Sequence, residues 1–226
     1  MKKPETKASI KDGKCSGLKT RDALLGAAKE LFAALGFDGV TVSAICKKAG
    51  ISGTQVHYHF KDKAQLYRAV ISLVGEGEFE RLSKLLKPAS TALEFQLRLE
   101  LFATEYLAWR TRDALAFRIL NFEYLRGMPI AKDVMEAKFE LMRSTLENYF
   151  SLAQQTKVVR QDCDVCVLST SFFGALNSIV DYHSLDKEGR GRSLSNDEDR
   201  ARIASEFIKT LFIGLQATHP EEPHAA

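Results

Sequence analysis

The sequence predicts an all-α fold: an N-terminal three-helix module containing a helix-turn-helix, followed by a larger helical region. Three observations lead there. Residues Val40 to Phe60, VTVSAICKKAGISGTQVHYHF, read as two short helices around a tight corner. Apolar residues recur at helical spacing from Thr20 to about residue 217. No stretch makes a convincing strand, and no internal repeat is visible.

Taken in order, residues 1–18 are polar, lysine-rich and carry Pro4, Gly13 and Gly17. They have little to bury and are expected to form a flexible basic tail. Thr20 to Leu35 is an amphipathic helix in which Leu24, Ala28, Leu31, Phe32 and Leu35 share a face. Thr20 can cap it and Gly36 ends it. In the corner, Thr41 suits the N-cap of a first helix to about Ala49, and Gly50 the left-handed residue that closes it. Ser52 can cap a second helix through Phe60. Ala44, Ile45, Ile51, Val56 and Phe60 are expected to face one another across the corner, with Cys46 as a small apolar filler. Asp62 caps the next helix, with Gln65 three residues on. Its stripe of Leu66, Ala69, Val70, Leu73 and Val74 leads to about Leu86, although Gly75 and Gly77 weaken the middle.

Residues 91–111 and 113–126 are the following helices. Met128-Pro129 breaks the chain, and Pro129 suits the first turn of a long helix to about Thr156. Residues 162–184 and 197–217 complete the series. The charged stretch SLDKEGRGRSLSNDEDR between them is expected to be a mobile surface loop. Its acids Asp197, Glu198 and Asp199 favour the start of the last helix. The expected division is a tail at 1–18, a helix-turn-helix module at 19–66, a helical domain at 67–218 and a fraying tail at 219–226.

The outward face of the second corner helix carries Gly53, Thr54, Gln55, His57 and Tyr58, then Lys61 and Lys63, with no carboxylate outward on the helix itself. Hydroxyls, amides and imidazoles suit base edges, and lysines suit phosphates. The second helix of such a corner fits a DNA major groove. The plain alternative is a solvated face on an ordinary three-helix packing. Charge favours the first reading. Residues 1–68 hold 13 Lys/Arg against 6 Asp/Glu, a net of +7, and the remainder holds 19 against 23, a net of −4. A polyanion is therefore a partner for the N-terminal part alone.

The segment AGISGTQVHYHFKDKAQL closely resembles the recognition segment of TetR-family transcriptional regulators, as does Thr20 to Leu66 as a whole. The likeness covers the first third of the chain. That family often has Gly-Thr or Gly-Ala where this chain has Thr54-Gln55, and Tyr where it has His57. These departures fall on base-facing positions, so no operator sequence carries over. The resemblance implies a ligand-responsive, DNA-binding transcriptional regulator, most often a repressor, acting on a palindromic double-stranded DNA operator. Thr54, Gln55 and His57 would face bases. Thr41, Ser43, Tyr58 and Lys63 would hold the sugar-phosphate backbone, with Gly53 permitting close approach. The resemblance also implies a homodimer through the helices near 162–184 and 197–217, and a cavity for a small apolar or amphipathic effector among the middle helices. Phe102, Tyr106, Trp109, Phe117, Asn121, Tyr124, Phe139, Phe173 and Asn177 are its candidate lining, and the core of a helical bundle is the competing role for most of them.

Hydrophobic content of 45% and charged content of 27% are ordinary for a globular protein. No apolar run approaches the roughly 20 residues needed to span a bilayer. The basic N-terminus has no apolar segment after it, unlike a secretory signal. A cytoplasmic protein without a membrane partner is expected. Of the four cysteines, Cys15, Cys46, Cys163 and Cys166, the last two form a lone CxxC. A zinc site would want two more ligands. The pair keeps open a different class: a helical ligand-binding or thiol redox-sensing protein without sequence-specific DNA binding. No phosphate loop, GxSxG or HExxH occurs. His57 and His59 point in different directions on a helix. Neither enzymatic activity nor a cofactor is expected.

Overall fold

The computed structural model describes residues 8–184, 194 and 196–215. Expectations for residues 1–7, for the loop at 185–193 and for the 219–226 tail lie outside the described residues. Among those described there are ten helices and no strand, as the all-α reading requires. Contacts divide the chain into two units, residues 1–74 with 114–136, and residues 75–113 with 137–226. The sequence predicts a boundary at 66/67 instead, with 114–136 in the second part.

The first unit begins with α1 (Ala8–Leu35). The helix starts well inside the stretch expected to be a flexible tail, and Thr20 lies in its interior rather than at its cap. Extending a formed helix costs little per residue, so a stripe anchored at Leu24, Ala28 and Phe32 can carry a polar extension. Gly36, at φ +69°, closes it with its N–H on the Phe32 carbonyl at 2.9 Å. In α2 (Val42–Ala49), Thr41 accepts the Ala44 N–H at 3.1 Å. Gly50 at φ +68° donates to the Lys47 carbonyl and Ile51 to that of Cys46, the two bonds of a Schellman ending. α3 (Gly53–Phe60) follows directly.

Asp62 accepts the Gln65 N–H at 2.8 Å and starts α4 (Lys63–Leu73). The helix ends there rather than near Leu86, because Gly75 and Gly77 both take positive φ and the chain restarts as α5 (Glu78–Ser83). Leu24, Phe32, Ile45, Val56, Phe60, Leu66, Tyr67 and Ile71 form one buried core with Ile119, Ala131 and Met135. Cys46 is part of it, as expected of a filler. Ala44, expected to face inward, is exposed; the inward positions fall to Ile45 and Cys46. Ile119 belongs to α7 (Ala114–Leu125), which packs on α1 and α4.

Glu123 of α7 is buried and accepts the N–H groups of Ile130 and Ala131 at 2.8 and 2.7 Å. Gly127 and Met128 are left-handed. The turn thus consumes Pro129, and α8 begins at Lys132 (Lys132–Gln155) rather than at the proline. Arg68 grips Asp133 with both terminal nitrogens at 2.7 and 2.6 Å.

In the second unit, α10 (Asp197–Leu215) packs along α6 (Ala92–Arg112), and α9 (Val165–Ser184) packs on α6 as well. The core is aromatic: Phe95 stacks on Tyr149 at 5.1 Å, and Phe172 meets Phe150 at 5.8 Å and Phe102 at 6.1 Å. Asp164 accepts from the Cys166 and Val167 N–H groups, so α9 starts at Val165 rather than near 162. Contrary to the expectation of no spanning-length apolar run, Val165–His183 is long and apolar enough to cross a membrane by length and composition, with mean hydropathy 1.3 over 19 residues. Only 28% of that window is buried within the protein.

Candidate nucleic-acid interface

The corner gives α3 one apolar side and one open side. Val56 and Phe60, four apart, are buried against Ile45 and the α1 core. Thr54, Gln55, His57 and Tyr58 are exposed, Tyr58 at 81%. The predicted base-facing and backbone-facing residues of α3 therefore share a solvent face, and none carries a negative charge. Gly53 opens the helix with free space around it. Ser52 occupies the N-cap but makes no side-chain cap bond; its hydroxyl pairs with that of Thr54 at 3.0 Å. The Thr54 hydroxyl thus sits at the leading edge of the helix with one partner and two further sites for bonds.

On α2, Thr41 and Ser43 are exposed beside this face. Thr41 spends an acceptor lone pair on its cap and keeps its O–H. Lys63 departs from expectation. Its ammonium donates to the carbonyls of Phe37 and Val40 at 3.0 and 2.9 Å and lies 4.1 Å from the centre of the Phe37 ring. It ties the α1–α2 connection to the start of α4, which takes it away from the role of a phosphate contact. A lysine three residues after Phe60 carries no sequence signal that separates the two uses.

His57 donates from Nδ1 to the Lys61 carbonyl at 2.8 Å. Lys61 has φ +64° and ψ −54°, and the Asp62 N–H reaches the Phe60 carbonyl at 2.7 Å. This is a γ-turn of the rare, strained hand. It ends α3 and sets Asp62 at the cap of α4 within two residues.

The candidate effector residues separate. Phe102, Tyr106, Trp109, Phe173 and Asn177 meet in the second unit. The Tyr106 ring is 5.8 Å from Trp109 and 5.5 Å from Phe173, and its hydroxyl donates to Asn177 Oδ1 at 2.8 Å. Burial drives the Tyr106 phenol well above its ordinary range, so it stays a neutral donor. Phe139 lies in the same unit but is exposed at 38%. Phe117, Asn121 and Tyr124 are on α7 in the other unit, and Asn121 and Tyr124 are exposed.

A second polar rung joins α6 to α9 one turn further on. Arg110, 3% exposed, donates to Asp181 at 2.9 Å. Neither residue is among the candidates the sequence offers. The signal was there: 110 and 181 each stand four residues after a partner in the Tyr106–Asn177 pair. Beside Phe102, a small cavity lined by Phe79, Leu82, Leu141, Met142 and Thr145 holds about 10 Å³, roughly the limit for one water. Cys163 is half-buried, Cys166 exposed, and both are free thiols. No group of three or more metal-binding side chains occurs among the described residues.

Comparison with known proteins agrees with this geometry. The profile of "Bacterial regulatory proteins, tetR family" matches residues 24–70, from the second half of α1 through most of α4. The chain is 25% identical over 88 residues to the nucleoid occlusion factor SlmA of Marinomonas sp., covering 39% of this chain and only 43% of that protein. It is 25% identical over 201 residues to the HTH-type transcriptional regulator QacR of Staphylococcus aureus, covering 86% of this chain and 97% of QacR. The fold is similar to that of the transcriptional regulator FadR from Bacillus subtilis, solved in complex with stearoyl-CoA, with TM-score 0.69 at 17% identity over 85% of this chain and 97% of FadR. A helix-turn-helix with an open, acid-free second helix, on an all-helical chain, has one consistent assignment: residues 24–70 are the N-terminal domain of the bacterial regulatory proteins of the tetR family.

Proposed function

We propose that this chain is a homodimeric transcriptional regulator that binds a palindromic DNA operator through α3 and releases it when a small apolar or amphipathic molecule enters the second unit. The observation that carries the reading is the exposed, carboxylate-free row Thr54, Gln55, His57 and Tyr58 on the outer side of a buried corner. Thr54, Gln55 and His57 face base edges in the major groove. Thr41, Ser43 and Tyr58 hold sugar and phosphate, and Gly53 lets the backbone approach. Lys63 is left out, since its ammonium serves the fold.

The effector belongs with Phe102, Tyr106, Trp109, Phe173 and Asn177, where aromatic walls adjoin a phenol, an amide and the Arg110–Asp181 pair. Drug-sized ligands occupy several hundred Å³, so entry requires these side chains to part. The acyl thioester in FadR has this mixture of apolar and polar parts. The chain passes between the units at 74/75, 113/114 and 136/137, and a ligand that prefers one arrangement biases the other unit through these crossings. A coupling of about 1–3 kcal/mol is typical. Dimerisation explains α9: Val167 is 62% exposed, Tyr182 63%, and Gly174 has open space where a partner backbone can approach. Two copies set their α3 helices one DNA turn apart, about 34–36 Å. Action on DNA also fits a cytoplasmic protein.

The test is titration of the purified protein against DNA from its own upstream region at several salt concentrations. Specific binding is expected to weaken by at least tenfold in Thr54→Ala and in His57→Ala. Binding untouched by both substitutions refutes the reading.

A further inference from the structure

We infer that His57 selects for a base bearing an exocyclic amino group, adenine or cytosine, at one position of each half-site. The inference rests on α3 being the DNA-reading helix. A carbonyl oxygen can only accept, so the 2.8 Å contact to Lys61 O requires the proton on Nδ1. The neutral ring then has a bare Nε2, and the bond made by one ring nitrogen decides the chemistry of the other. His57 is exposed on α3, so this nitrogen is available to DNA as an acceptor.

The tautomer is held by backbone rather than by a mobile side chain. Lys61 sits in the strained turn at φ +64°, with its N–H on the His57 carbonyl at 3.2 Å and its carbonyl aimed back at the ring. Asp62, bonded to Phe60 and to Gln65, holds the far side of the turn. Strain of this kind persists where surrounding structure over-determines it. Lys61 is therefore a positioning residue that acts through its main chain.

In the major groove every base pair offers one amino group, on adenine N6 or cytosine N4, and one keto group, on thymine O4 or guanine O6. An acceptor is attracted to the first and repelled by the second. It therefore reads which strand carries the amino-bearing base, and tolerates exchange of A for C. Thr54 and Gln55, which can both donate and accept, have no such one-sided preference.

Two measurements test this together. Long-range ¹H–¹⁵N NMR of the free protein at pH 8, assigned with His57→Gln, is expected to show His57 protonated on Nδ1. In vitro selection from random DNA is expected to give A or C over G or T by about tenfold at one position per half-site. His57→Arg, which can only donate, is expected to move that position to G. A ring protonated on Nε2, a selected G or T with wild-type protein, or an Arg variant that changes affinity equally for all sequences overturns the inference while leaving DNA recognition by α3 intact. Failure of wild-type protein to select any sequence overturns both.

Discussion

Replacing Lys63 by Met keeps the aliphatic stem and removes the ammonium, which separates its two possible uses. The structure assigns it to the Phe37 and Val40 carbonyls and the Phe37 ring. A hydrogen bond from a charged donor contributes about 1.5–3 kcal/mol. These carbonyls are only partly buried, and water can replace the lost donor, so about 1 kcal/mol each is a fairer figure. The cation over the ring adds about 0.5–1 kcal/mol. Lys63→Met should therefore destabilise the protein by about 2–3 kcal/mol. In urea followed by circular dichroism at 222 nm, a slope of about 2 kcal/mol per molar lowers the midpoint by about 1–1.5 M. DNA affinity should keep its salt dependence. A phosphate-contacting lysine behaves in the opposite way: stability stays, and the slope of log affinity against log salt falls by about 0.9 per protomer. Unchanged stability with a reduced slope refutes the structural role.

Two more outcomes follow from the packing. Gly75→Ala puts a Cβ 2.7 Å from Trp109 Cζ2 and 2.8 Å from Phe79 Cε2 at φ +75°; backbone strain and overpacking together should cost about 2–4 kcal/mol, read as a drop in thermal midpoint with altered Trp109 fluorescence. Burial raises the phenols of Tyr67, Tyr106 and Tyr149 well above their ordinary value. Their stabilising contribution is complete below the unfolded value of about 10 and is lost as pH rises through the folded values. An alkaline titration at 295 nm should show these three ionising only together with loss of helicity, and independent ionisation before unfolding contradicts their burial.

Much of the first unit was legible because its signals are local. Thr41, Gly50 and Asp62 act on residues within four positions of themselves, so their residue types forecast the caps. The 3.6-residue stripe of α1 and the corner apolars forecast which side is buried. Local rules also explain the misreadings. The break at Gly75 and Gly77 depended on whether packing would reward a continuous helix, and the Trp109 ring occupies the space a side chain would need. The start of α8 moved past Pro129 because a carboxylate six residues upstream, Glu123, captured the next two N–H groups.

The amino-acid order alone settled that the chain is helical, where the second corner helix lies and which of its side chains are free of negative charge. These follow from periodicity and from bonds a few residues long, which every copy of the segment would make. Tertiary structure decided the rest: that Lys63 is spent on main-chain carbonyls, and that the aromatic candidates divide between two units. Such outcomes turn on contacts between residues 23 and 71 positions apart, Lys63 to Val40 and Tyr106 to Asn177, and no local pattern encodes which distant partner a side chain will find.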